Sequence, residues 1–119
     1  MVDRRRGAER RGRRAEILAA WWLRLHAYSI LEMRFKCPLG EIDIVARRGN
    51  MLVFVEVKQR PTLAVAETAV PDQAWLRIAR AADAWIARHS SLQSLNRRYD
   101  LIAIAPRHWP KHCRDYWRP

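Results

Sequence analysis

Cysteine is scarce: the chain of 119 residues has two, Cys37 and Cys113, with no CxxC spacing. A disulfide-stapled secreted scaffold is excluded on that count, and the usage suits a reducing, cytoplasmic compartment. No apolar run approaches the roughly 20 residues needed to cross a bilayer, so an integral membrane protein is not expected. No apolar core follows the first arginines, as a secretory signal requires. The sequence has no repeat at a solenoid period and no low-complexity tract beyond its arginines. It also lacks a P-loop, a dinucleotide fingerprint and a Ser/His/Asp nucleophile elbow. His108-x3-His112-Cys113 offers half the donors of a zinc site with no second pair nearby. Lysine is scarce as well, at three against twenty arginines.

What is present is one domain's worth of chain, half of it hydrophobic, which is too much for a disordered segment. The formal charge is +11, from 23 basic and 12 acidic residues. Residues 1–14 carry seven arginines against Asp3 and Glu9, and form a basic N-terminal arm. Residues 15–119 keep 16 basic against 10 acidic side chains, so the expected single domain is basic in its own right. A small domain this basic meets a polyanion, and arginine grips phosphate through two parallel hydrogen bonds where lysine offers a point charge.

Hydrophobic periodicity divides the rest. Ala15 to Ala27 reads as a helix with a stripe of Ala15, Leu18, Ala19, Trp22, Leu23 and His26. Ser29 to Lys36 reads as a strand with Ile30, Glu32, Arg34 and Lys36 facing one way. After the turn at Cys37–Gly40, Glu41 to Arg48 and Met51 to Lys58 form a hairpin about Gly49-Asn50. Residues 60–70 read as loop. A helix follows from an N-cap at Asp72 to about His89, with a stripe of Trp75, Ile78, Ala79, Ala82, Trp85 and Ile86 and an outer face of Gln73, Arg77, Arg80 and Arg88. Residues 90–98 form a polar loop, Tyr99 to Ala105 a buried strand, and residues 106–119 have no assigned structure. The order αβββαβ predicts an α/β fold, a mixed sheet flanked by helices.

The hairpin carries the chemistry. A two-residue turn at Gly49-Asn50 makes paired positions sum to 99, so Asp43 faces Glu56 and Glu41 faces Lys58. Alternation puts Ile42, Ile44, Ala46, Val53, Val55 and Val57 on one face, and the charged residues with Val45, Leu52 and Phe54 on the other. Like charges directly opposed on a sheet are destabilising. Either one carboxyl is protonated or a cation lies between them, and two such carboxylates suit a hard divalent ion such as Mg²⁺ or Mn²⁺. The duller alternative is a surface hairpin in which an arginine neutralises Asp43 and Glu41–Lys58 is an exposed ion pair worth little.

Asp43 with Glu56-Val57-Lys58 resembles the D…ExK signature of the PD-(D/E)xK nuclease superfamily, whose restriction-endonuclease-like core has this αβββαβ order. The longer stretches GEIDIVA and LVFVEVKQR resemble the YraN-like bacterial family, itself similar to archaeal Holliday-junction resolvases. The resemblance spans most of residues 12–105, with its specific motifs in 40–60. It implies a metal-dependent phosphodiesterase acting on DNA, with branched DNA as a candidate substrate. Asp43, Glu56 and the Val57 carbonyl would hold the metal, and Lys58 would orient the attacking water. Glu16 would be the helix acid that organises the site, although a carboxylate in a helix's first turn also favours the N-terminal dipole. Glu41 is either a secondary ligand or the partner of Lys58. Arg13, Arg14, Gln59, Arg60, Gln73 and Arg77 are candidate nucleic-acid contacts, Gln73 standing where the family is expected to carry lysine. A homodimer is expected by analogy with resolvases. Trp109 and Trp117 are the tryptophans open to nucleic-acid contact, unless they pack on the sheet. Two further readings stand beside the nuclease: a nucleic-acid-binding module that keeps the fold without cutting, and a basic scaffold for an acidic protein partner.

Overall fold

The computed structural model describes the backbone of residues 4–119 and the side chains from Gly12 onward. Helix α1 (Arg4–Leu25) leads into strands β1 (Ser29–Cys37), β2 (Gly40–Arg48) and β3 (Met51–Gln59). Short α2 (Leu63–Glu67) and long α3 (Asp72–Ala87) follow, then β4 (Asn96–Ile104) and β5 (Lys111–Trp117). The five strands lie in one sheet in chain order, β1-β2-β3-β4-β5. All neighbours are antiparallel except β3 and β4, which run parallel because α3 crosses over between them.

The two helix stripes cover opposite faces of this mixed sheet. α1 brings Ala15, Ala19, Ala20 and Leu23 onto Ile44, Ala46, Val53, Val55, Val57, Ile102 and Ile104. α3 brings Trp75, Ile78, Ala81, Ala82, Trp85 and Ile86 onto Phe35, Ile42, Val45, Leu52, Phe54, Tyr99 and Leu101. Buried on both sides, β3 reads as the near-continuous apolar run LVFV, as a central strand should.

Several expectations need correction. α1 begins at Arg4, well inside the basic stretch, rather than at Ala15. Its buried stripe uses Ala20, while Leu18 and His26 are exposed and Trp22 is half-buried, because the helix lies on the sheet along its small residues. Pro71, not Asp72, is the α3 cap residue; Asp72 sits in the first turn. The 60–70 loop holds α2, whose Thr62 hydroxyl accepts from the Val65 amide at 3.2 Å. The 90–98 loop gives way to β4 from Asn96.

The unassigned tail supplies β5. It pairs Leu101 with Cys113 and Ala103 with Lys111, and stacks Trp117 on Trp75 at a ring separation of 6.0 Å. A buried polar knot ties it down. Asp100, 0% exposed, accepts from Arg98 twice at 2.8 Å and from the Asp115 amide at 2.9 Å, and it bonds His112 Nε2 at 2.6 Å. Arg98 also donates to the Tyr28 hydroxyl at 2.7 Å. Burial works against the Asp100 charge, but the bonds from His112, Arg98 and the Asp115 amide outweigh it and hold the pKa below the usual carboxylate range.

The strands that frame the hairpin depart from simple alternation twice. A bulge at Leu31 puts Ile30 against the α1 side and turns Glu32 to the other, where it accepts from the Trp85 indole at 2.8 Å. Then both β1 and β2 change face between the pairs Met33–Ile44 and Phe35–Ile42. Met33 and Ile44 pack with α1, whereas Phe35 and Ile42 pack with α3. The residues in between are Arg34, whose φ is 56°, and Asp43. Ile42 therefore does not share the Ile44 face.

Candidate active site

The inversion at Asp43 opens the sheet. The β2–β3 ladder follows the predicted register from Arg48–Met51 to Ile44–Val55, and stops there. Asp43 then uses its side chain where a ladder would use the main chain: Oδ2 accepts from the Val57 amide at 2.8 Å. Glu56, the next residue outward on β3, lies beside it, and Lys58 Nζ stands 3.4 Å from Glu56 Oε1. The expected Glu41–Lys58 pair is not formed. Glu41 lies opposite Lys36 in the β1–β2 register, 3.9 Å from its ammonium.

Two half-buried carboxyls so close cannot both ionise freely. Burial pushes Glu56 up to about 8, the negative charge of Asp43 adds to this, and Lys58 opposes it. Asp43 is raised too, first by burial and then by the charge of Glu16, against the hydrogen bond from the Val57 amide. The hairpin thus brings the two acids together, though beyond the end of its paired ladder rather than as a cross-strand pair.

A cleft of about 610 Å³ opens on this pair. Glu16, Asp43, Glu56, Val57, Lys58, Gln59 and Arg60 line it, with Gly12, Ala15, Pro61 and Pro106 as further walls. Asp43, Glu56 and Lys58 also line a second recess, beside Arg77. Arg13 joins Glu16 and Asp43 in a third depression. Arg14 and Gln73 are exposed and line none of the three. Gly40 sets the second wall: a Cβ there would stand 2.8 Å from the Arg77 carbonyl oxygen, so the glycine lets α3 approach.

Glu16 is held by Arg34, whose Nε donates to Oε2 at 2.5 Å. Arg34 is the residue the sequence reading misses. Simple alternation gave it no link to the hairpin; the signal was the Cys37–Gly40 turn, whose register sets Arg34 opposite Asp43. Among the described residues, no three His, Cys, Asp or Glu side chains converge as a ready-made metal cluster. The oxygen donors at hand are the Asp43 and Glu56 carboxyls and the Val57 carbonyl, with Glu16 on the wall. That set suits a hard divalent ion and no soft one.

The sequence compares with others over nearly its whole length. The family described as "Uncharacterised protein family UPF0102" matches residues 15–104. A UPF0102 protein of Chelativorans sp. (strain BNC1) is 51% identical over 113 residues, covering 95% of this chain and 91% of that protein. One from Bartonella tribocorum is 56% identical over 102 residues, covering 86% and 78%. One from Maricaulis maris is 49% identical over 119 residues, covering 100% and 94%.

Proposed function

The chain belongs to the UPF0102 family, and from that premise and the cleft we propose that it is a divalent-metal-dependent endonuclease that hydrolyses phosphodiester bonds in DNA. The observation that carries this reading is the pair Asp43–Glu56: two half-buried carboxyls side by side, open to a cleft, with a lysine ammonium 3.4 Å from Glu56. A structural ion pair would not keep two acids together at that cost; a cation between them removes it.

The Asp43 and Glu56 carboxylates and the Val57 carbonyl would hold Mg²⁺ or Mn²⁺, which would supply Lewis acidity and lower the pKa of water. The Val57 amide fixes the rotation of the Asp43 carboxylate. The Lys58 ammonium, 3.4 Å from Glu56, orients the attacking water and offsets charge that builds on the phosphate. Arg60 at the cleft, Arg77 in the neighbouring recess and Arg13 beside Glu16 take flanking phosphates.

The test is cleavage of labelled duplex, flapped, four-way-junction and single-stranded DNA, and of RNA, with Mg²⁺ or Mn²⁺. Glu56→Gln and Lys58→Ala run beside the wild type. Metal-dependent cutting that both variants lose by about 10²-fold or more supports the reading. Calorimetry with Mg²⁺ on wild type and Asp43→Ala gives a second readout, and absence of site-dependent binding overturns it. One observation favours a second reading, the non-cutting nucleic-acid module: Glu16 is engaged by Arg34 rather than joined to the carboxyl pair. Band shifts without cutting, unchanged in Glu56→Gln, would select it.

A further inference from the structure

The turn between β4 and β5 meets the cleft through Pro106 and the core through Pro110, yet places one side chain outside both. It carries Trp109, 81% exposed, the most exposed large apolar side chain among the described residues. Stability alone would bury it, as Trp75 and Trp85 are buried and as Trp117 stacks on Trp75. The turn is nevertheless defined. Pro110 is buried, the His108 amide donates to the Ala105 carbonyl at 3.3 Å, and Arg107 takes φ 65°, a left-handed conformation disfavoured for a residue with a side chain. The Trp109 indole leans on Trp22 at 6.3 Å between rings, and Trp22 leans on His26 at 4.3 Å. A tight turn thus holds a flat aromatic face out in water, propped from behind.

Its position and its charge say what meets it. Pro106, three residues before Trp109, lines the cleft that holds Asp43, Glu56 and Lys58. Three residues reach at most about 10 Å, so the Trp109 backbone lies within that distance of a cleft-lining residue. Arg107 and His108 flank it in a chain of net charge +11. A second copy brought to this face would add like charge to like charge. A polyanion that carries unstacked π-faces fits both features, and duplex DNA does not show such faces to an indole.

We propose that Trp109 is a stacking platform for an unpaired base of single-stranded or flapped DNA whose backbone passes the cleft. This names a substrate class for the site and rests on the reading of the cleft as a phosphodiester site. The test is fluorescence anisotropy of the full chain, without divalent metal, on a labelled single strand, the matching duplex and that duplex with a single-stranded flap. Trp109→Ala should weaken the single strand and the flap by about tenfold or more and leave the duplex within about twofold, and Trp109→Phe should stay within about threefold of wild type on every ligand. Equal losses on single strand and duplex, no loss, a Phe variant as weak as the Ala variant, or a wild type that binds no nucleic acid would each overturn the proposal. So would sedimentation that shows a dimer which Trp109→Ala dissociates while single-strand affinity is kept, since that assigns the face to a second copy. Glu56→Gln separates the two readings: if it cuts like wild type, the cleft reading fails, while the anisotropy result still decides the platform.

Discussion

A carboxylic acid whose pKa sits near 8 weakens the fold at neutral pH. Glu56 has an ordinary value of 4.5 once unfolded and about 8 when folded, so the folded chain holds the extra proton. Stability is then fully present below about pH 4.5 and declines as pH rises toward 8, by up to about 1.4 kcal/mol per pH unit. Urea denaturation with a chelator present, across pH 5 to 8, should show that decline. Glu56→Gln should flatten the profile and exceed the wild type at pH 8 by a few kcal/mol. Asp43 shifts in the same direction, so its contribution likewise declines as pH rises above its unfolded value. At this scale the sequence was informative where a turn fixed the geometry: Gly49-Asn50 set the register that brings Asp43 toward Glu56. Only Gly49 of the pair is left-handed, with φ 60°, as a type II′ turn requires. For Arg34 the sequence offered only the register of the Cys37–Gly40 turn, because a left-handed arginine in a strand has no signature in composition or alternation.

Among the elements, α3 and the hairpin were legible, and α2, β5 and the inversion in β1 and β2 were not. The α3 stripe repeats at helical spacing with large apolar residues, and five of its six predicted members are fully buried, Ala79 alone half-buried. β5 is an edge strand reading KHCRDYW, with no alternating apolar face to betray it. It exists because β4 offers it a partner and Trp75 a surface. Two substitutions test how elements are joined. Gly40→Ala drives a methyl into the Arg77 carbonyl and should cost about 1–3 kcal/mol in chemical denaturation, with α3 shifted at the recess beside Lys58. Ala27→Gly should do the reverse. Ala27 closes α1 at φ 67°, with the Tyr28 amide on Leu23 and its own on Arg24, a position where glycine carries no Cβ penalty. A gain of about 1 kcal/mol, read as a higher midpoint at unchanged slope, is the expected outcome.

For the molecule as a whole, the knot at Asp100 joins the most distant parts of the chain. It links Tyr28 after α1, Arg98 on β4, and His112 and Asp115 on β5. Asp100→Ala strips Arg98, His112 and the Asp115 amide of their shared buried acceptor and should cost about 3 kcal/mol, with β5 amides exchanging first. Because the folded pKa of Asp100 lies below its unfolded value, this contribution is present above about pH 4 and is lost as pH falls through the folded value. The hydrogen bond from the Val57 amide to Asp43 has a different consequence. It joins β2 to β3 beyond Ile44 and Val55, where the backbone ladder has already stopped. Hydrogen exchange at Val57 should therefore report that clasp: in Asp43→Ala the amide should exchange faster by orders of magnitude while Val53 and Val55, inside the paired ladder, keep their protection. One carboxylate thus fastens two strands while lining the cleft, so the clasp and the site stand or fall together.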